Sequence, residues 1–112
     1  MPEPPTPAST IEATIRQAAE GGWVGPEWHN CVEVKVELDD DPLTACVWGI
    51  AAGGDVANGL PLAAVLLDET FWRALGRSRG WRADEWRERW NQISDALTDG
   101  RSLDELSQRL AA

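Results

Sequence analysis

Residues 31–38 read Cys31-Val32-Glu33-Val34-Lys35-Val36-Glu37-Leu38, and this octet decides the fold. Apolar Val32, Val34, Val36 and Leu38 alternate with Cys31, Glu33, Lys35 and Glu37. Such a period of two puts one set of side chains on each face of an extended strand. Val is also among the residues that suit a pleated, half-buried surface. The strand is followed by Asp39-Asp40-Asp41-Pro42, a turn composition, and then by Leu43 to Ile50 as a returning strand. A turn centred on Asp40-Asp41 sets Cys46 near Lys35 and Cys31 near Ile50. That separation is too great for a disulfide, so both thiols are expected to be free.

Helical patterns lie on both sides of this hairpin. Upstream, four prolines among the first seven residues read as a disordered or extended arm over 1–8, before a single domain over 9–112. Ser9 with Glu12 has the spacing of a capping box. Ile11, Ile15 and Ala18 follow at helical intervals, and Gly21-Gly22 stops a helix expected over 10–21. Downstream, Leu60 to Leu67 is apolar without a period and fits either a third strand or the first turns of a helix. Asp68 caps a helix to about Arg79, with Phe71, Trp72 and Leu75 inward and Gly80 ending it. Asp84 is the expected cap of the next helix, whose stripe Trp86, Trp90, Ile93 and Leu97 predicts a buried face. Ser102 with Glu105 opens a short last helix bearing Leu103, Leu106 and Leu110. Strands segregated from helices imply an α+β fold: a small antiparallel sheet, as a hairpin or three-stranded meander, packed against about four helices.

Composition bounds the function. At 112 residues the chain fits one domain, and its seven Trp can anchor a small core. No apolar run approaches the roughly 20 residues of a membrane span, and no leader pattern opens the chain, so the cytoplasm is the expected compartment. The net charge of −9 is uneven. Residues 1–60 hold ten acids and two bases, whereas 61–112 hold nine acids and eight bases. Nucleic-acid binding needs clustered cations, so the first half is a poor surface for it, and a basic partner suits it better.

Motifs for chemistry are sparse. His29 with Cys31 and Cys46 falls short of the four ligands of a zinc site. Asp39-Asp40-Asp41 lacks the alternate spacing and distal Glu of a calcium loop. Gly49 with Gly53-Gly54 has no following Lys and carries Asp55, which repels a phosphate. A Ser or Cys nucleophile finds only one imidazole in the chain, and Glu33 and Glu37 read as a solvated strand face rather than an acid/base pair. No metal or cofactor is expected. The segment from Arg73 to Arg89 differs: Arg73, Arg77, Arg79, Arg82, Arg87 and Arg89 interleave with Trp81 and Trp86, a composition found both in interface hot spots and in stacked Arg–Trp packing.

Gly21-Gly22-Trp23, Leu66-Leu67-Asp68, Phe71-Trp72, Ala74-Leu75-Gly76, Gly80-Trp81 and Trp90 together resemble a set of small proteins encoded by bacteriophages and prophages, with Glu69 standing where that set carries Pro. The resemblance spans most of the chain from Ile11 onward and brings no established activity. It implies a mobile-element origin. With the charge pattern, it leads to the expectation of a non-enzymatic acidic binding protein that docks on a host macromolecule as an inhibitor or counter-defence factor. The expected partner is a host protein with a basic surface, met by Glu33, Glu37, Asp39, Asp40 and Asp41. One alternative is a module that takes a small anionic ligand on Arg73, Arg77, Arg82 and Arg87. Another is a structural or assembly component of a virion.

Overall fold

The computed structural model describes residues 6–23, 31–38, 41, 44–51, 53, 54, 56 and 59–111; of these, the side chains of Cys31 and Val32 are left aside. Helix α1 (Pro7–Glu20) precedes strands β1 (Cys31–Glu37), β2 (Cys46–Ala51) and β3 (Leu60–Pro61). Helices α2 (Leu62–Leu66), α3 (Glu69–Arg79), α4 (Ala83–Thr98) and α5 (Leu103–Ala111) follow. The fold is α+β, with the sheet order β1-β2-β3 antiparallel throughout.

The sheet is the meander of the two expected forms. Val36 pairs with Val47 and both are buried, so their face is the inner one. Val34, Leu38 and Leu60 pack against the same core from partly buried positions. The hairpin register differs from a turn centred on Asp40-Asp41. Cys46 stands opposite Glu37, and Cys31 opposite Ala51 across an irregularity between Cys31 and Glu33. The returning strand starts later than expected because Thr44 turns back first, donating its N–H and its hydroxyl to the Asp41 carbonyl at 3.0 and 2.9 Å. The cysteines therefore lie at opposite ends of the ladder, and Cys46 is a free thiol.

The ambiguous run 60–67 is both things in turn: two residues of strand, then one short helix whose Leu62, Val65 and Leu66 are buried. Helix α1 starts earlier than its capping-box reading. Thr6 is the N-cap and accepts from the Ser9 N–H at 3.1 Å, while proline occupies the first turn where its missing N–H costs nothing. Pro7 and Ala8 thus belong to the helix rather than to an arm, and residues 1–5 lie outside the described part. Glu12, released from capping, crosses to the sheet. Its Oε1 accepts the Val36 N–H at 3.1 Å, on the open edge of β1. Helix α4 begins after Arg82, two residues ahead of the Asp84 reading. Glu85 reaches back to accept the Arg82 N–H at 3.4 Å.

The core is one contiguous cluster drawing on all five helices and on Val36 and Val47 of the sheet. Trp72 lies at its centre, 1% exposed, with its indole N–H donated to the Leu66 carbonyl at 2.6 Å. Of the α4 stripe, Trp86, Ile93 and Leu97 are buried, but Trp90 is only half-buried. Its amphipathic ring packs on the core while keeping the indole N–H on the Leu67 carbonyl at 3.2 Å, and Ala96 is also buried on this helix. Two glycines let helices approach. A Cβ on Gly21 would overlap the Ala74 carbonyl of α3, and one on Gly76 would lie 2.8 Å from Cδ1 of Trp86 on α4.

Candidate functional site

Register and burial together define the second face of the sheet. If Val36 and Val47 point inward, Glu33, Lys35 and Glu37 of β1 must point outward with their partners Ile50, Trp48 and Cys46 of β2. Val56 joins them through its bridge to Ile50 and is 61% exposed, the largest exposure of any bulky apolar side chain among the described residues. Trp48 lies flat along the sheet: a Cβ on Gly59 would stand 3.0 Å from its six-membered ring. Its Nε1 is buried and has no hydrogen-bond partner among the described residues. The outer face therefore carries an apolar strip of Trp48, Ile50 and Val56 beside a charged strip of Glu33, Lys35 and Glu37. Lys35 reaches Glu37 at 3.7 Å, and both are well exposed, so that pair holds the strip together only weakly.

Of the acidic residues singled out in the sequence, Glu33 and Glu37 share this face and Asp41 is exposed at the end of the hairpin. Asp39 and Asp40 lie outside the described residues, as does His29. The apolar half of the face was not singled out. Trp48 and Ile50 read in the sequence as part of a returning strand, and Val56 drew no reading of its own.

The arginine segment separates into three settings. Arg79 serves the fold: its Nε donates to Gln17 at 2.7 Å and its Nη1 to the Leu110 carbonyl at 2.9 Å, joining α3 to α1 and α5. Burial, and then the neighbouring Arg89, push its guanidinium below the ordinary arginine value. Arg79 and Arg89 both approach the Trp81 ring, at 5.0 and 4.1 Å. Arg87 stacks on Trp86 at 5.1 Å, and Arg82 pairs with Asp84 and Glu85 at 3.8 and 3.2 Å.

Arg73 and Arg77 come together in a concave place. With Thr70 and Ala74 they form a stripe along α3, facing Gly22 and Trp23 across a cleft of about 340 Å³. Asp68 fixes its far end, with Oδ2 accepting the Trp23 indole N–H at 3.3 Å and Oδ1 accepting the Thr70 N–H and hydroxyl at 3.0 and 2.8 Å. The four arginines read from the sequence are not gathered in that cleft: Arg82 and Arg87 sit on α4 and its approach, outside its lining, although Arg87 and Arg73 both lie over the Trp86 ring, at 5.1 and 5.9 Å.

Among the described residues no group of three or more metal-binding side chains occurs, and no helix is long and apolar enough to cross a membrane. Compared with protein-family models, with curated proteins and with solved structures, the chain matches none.

Proposed function

We propose that this is a non-enzymatic binding protein that docks on another protein through the outer face of its sheet. The observation that carries the reading is the juxtaposition of Trp48, Ile50 and Val56 with the charged strip of Glu33, Lys35 and Glu37. Interfaces of this kind place aromatic and aliphatic anchors at the centre and charges at the rim, where charge governs orientation and association rate. With carboxylates at Glu33, Glu37 and Asp41 against a single Lys35, the complementary partner presents a basic rim around an apolar contact. The resemblance to phage and prophage proteins supplies the biological setting: an inhibitor or counter-defence factor acting on a host protein in the host cytoplasm.

The test is capture from host lysate with the wild-type chain and three variants. The reading expects a protein that is retained by wild type and by Arg87→Gln. It is lost with Val56→Asp, and Glu33→Gln/Glu37→Gln captures it more slowly with a flatter salt dependence. Equal capture by all four forms would refute the sheet-face reading.

A further inference from the structure

The cleft on α3 presents cationic groups that the sheet face does not use. Its wall is the stripe Thr70, Arg73, Ala74 and Arg77, which helical periodicity aligns on one side, and its opposite wall is Gly22 and Trp23. Arg77 is exposed and makes no ion pair among the described residues. Its only hydrogen bond there, Nη1 to the Gly21 carbonyl, is stretched to 3.5 Å. Arg73, one turn earlier, holds Glu69 through Nη2 at 3.0 Å and lies over the Trp86 ring at 5.9 Å, a stacking contact that consumes none of its remaining N–H donors. Of the neighbouring acids, Glu69 is engaged by Arg73, and Asp68 already accepts three hydrogen bonds, so much of its charge is met internally. The walls are held in place: Gly21 meets the Ala74 carbonyl so closely that no side chain fits between, and Trp23 is 6% exposed and edge-on to Phe71.

We propose that this cleft binds the phosphate group of a small phosphate monoester, with Arg77 as the principal cation and Arg73 as the second. Two guanidinium groups one turn apart suit a tetrahedral dianion better than a carboxylate. A carboxylate fills a single fork, whereas phosphate offers oxygens to both. A volume near 340 Å³ lies at the small end of ligand pockets and fits a sugar phosphate rather than a dinucleotide. Gly22 keeps the opposite wall low: its φ of +104° favours glycine, and a Cβ there would stand 3.6 Å from Arg77 Nη1, narrowing the entrance. The site is on the helical side of the molecule, so it stands or falls independently of the sheet face.

The experiment titrates the full chain, labelled for amide NMR, with ribose 5-phosphate, ribose, sodium acetate and a phosphoserine peptide at constant ionic strength. The expected result is saturable shifts at Gly22, Trp23 and the Arg77 side chain with ribose 5-phosphate, and none with ribose or acetate. Arg77→Gln is expected to weaken binding at least tenfold and Arg77→Lys by a smaller factor, while Arg87→Gln binds as wild type does. Because Arg77 is exposed, circular dichroism of each variant is expected to match wild type. Absence of saturation, an equal response to acetate, or an equal loss in Arg87→Gln would overturn the site. Tighter binding of the phosphoserine peptide than of ribose 5-phosphate would overturn its assignment to a small molecule.

Discussion

Two glycines and one tryptophan show how single side chains set this fold. Gly76 lies in the middle of α3, where alanine gains about 1 kcal/mol of helix propensity. Its Cβ would press on Trp86 at 2.8 Å, and overpacking of that kind costs about 1–3 kcal/mol, so Gly76→Ala is predicted to be net destabilising. Gly21→Ala is predicted to cost more than Gly76→Ala, since the obstacle is the Ala74 backbone rather than a movable ring. Gly53→Ala, in open space, serves as the control with stability unchanged in urea melts. At Trp48 the prediction has the opposite sign. An unmet buried N–H costs on the order of 1–3 kcal/mol, so Trp48→Phe removes a penalty along with some packing. Its denaturation midpoint is expected within about 1 kcal/mol of wild type, well short of the 3–5 kcal/mol of an ordinary buried-aromatic truncation. A larger loss would show that the indole is a core anchor.

Between elements, two of the polar side chains that make long-range ties carry predictions. Glu12 of α1 accepts from the Val36 N–H on the free edge of β1. Edges of this kind invite pairing with other chains, and a carboxylate placed on them discourages it. Glu12→Ala is therefore predicted to lose about 1–3 kcal/mol and to raise the tendency to aggregate, read by light scattering; Glu12→Gln, which still has an acceptor oxygen, is expected to lose less. Arg79 ties α3 to Gln17 of α1 and to the Leu110 carbonyl of α5 from two different nitrogens. A lysine has no fork to span both, so Arg79→Lys is predicted to destabilise by about 1–3 kcal/mol despite keeping the charge.

At the scale of the whole molecule, one core spans every helix and the sheet, which predicts a single cooperative transition. Melts followed by tryptophan fluorescence and by far-ultraviolet dichroism are expected to coincide. The last helix belongs to that unit: Leu106 and Leu110 are 0% and 2% exposed, and α5 packs along α1. Losing two buried leucines at about 2–5 kcal/mol each consumes most of a typical total of about 5–15 kcal/mol. A chain ending at Gly100 is accordingly predicted to be largely unfolded at 25 °C, visible as collapsed amide dispersion.

The amino-acid order alone determined the class of fold, because periods of two and of 3.6 are local properties. The octet 31–38 declared its strand, and Phe71-Trp72 and Trp86-Ile93-Leu97 declared their buried faces. Boundaries were less legible where side chains had a choice of partner. Ser9 could cap a helix, yet Thr6 does, and Glu12 turns to a strand 24 residues away. The acidic strip of the outer face was readable from alternation. Its apolar companion was not, since Trp48, Ile50 and Val56 become neighbours of Glu33 and Lys35 only through strand register and one isolated bridge. The arginines teach the same lesson. Six close in sequence share a composition, but helix packing sent Arg79 into the fold, Arg82 and Arg87 to α4 and its approach, and Arg73 and Arg77 to a cleft opposite Gly22 and Trp23. Which residues meet across the molecule depends on the close approach of α1 to α3 at Gly21, a contact between segments some fifty residues apart that no local pattern encodes.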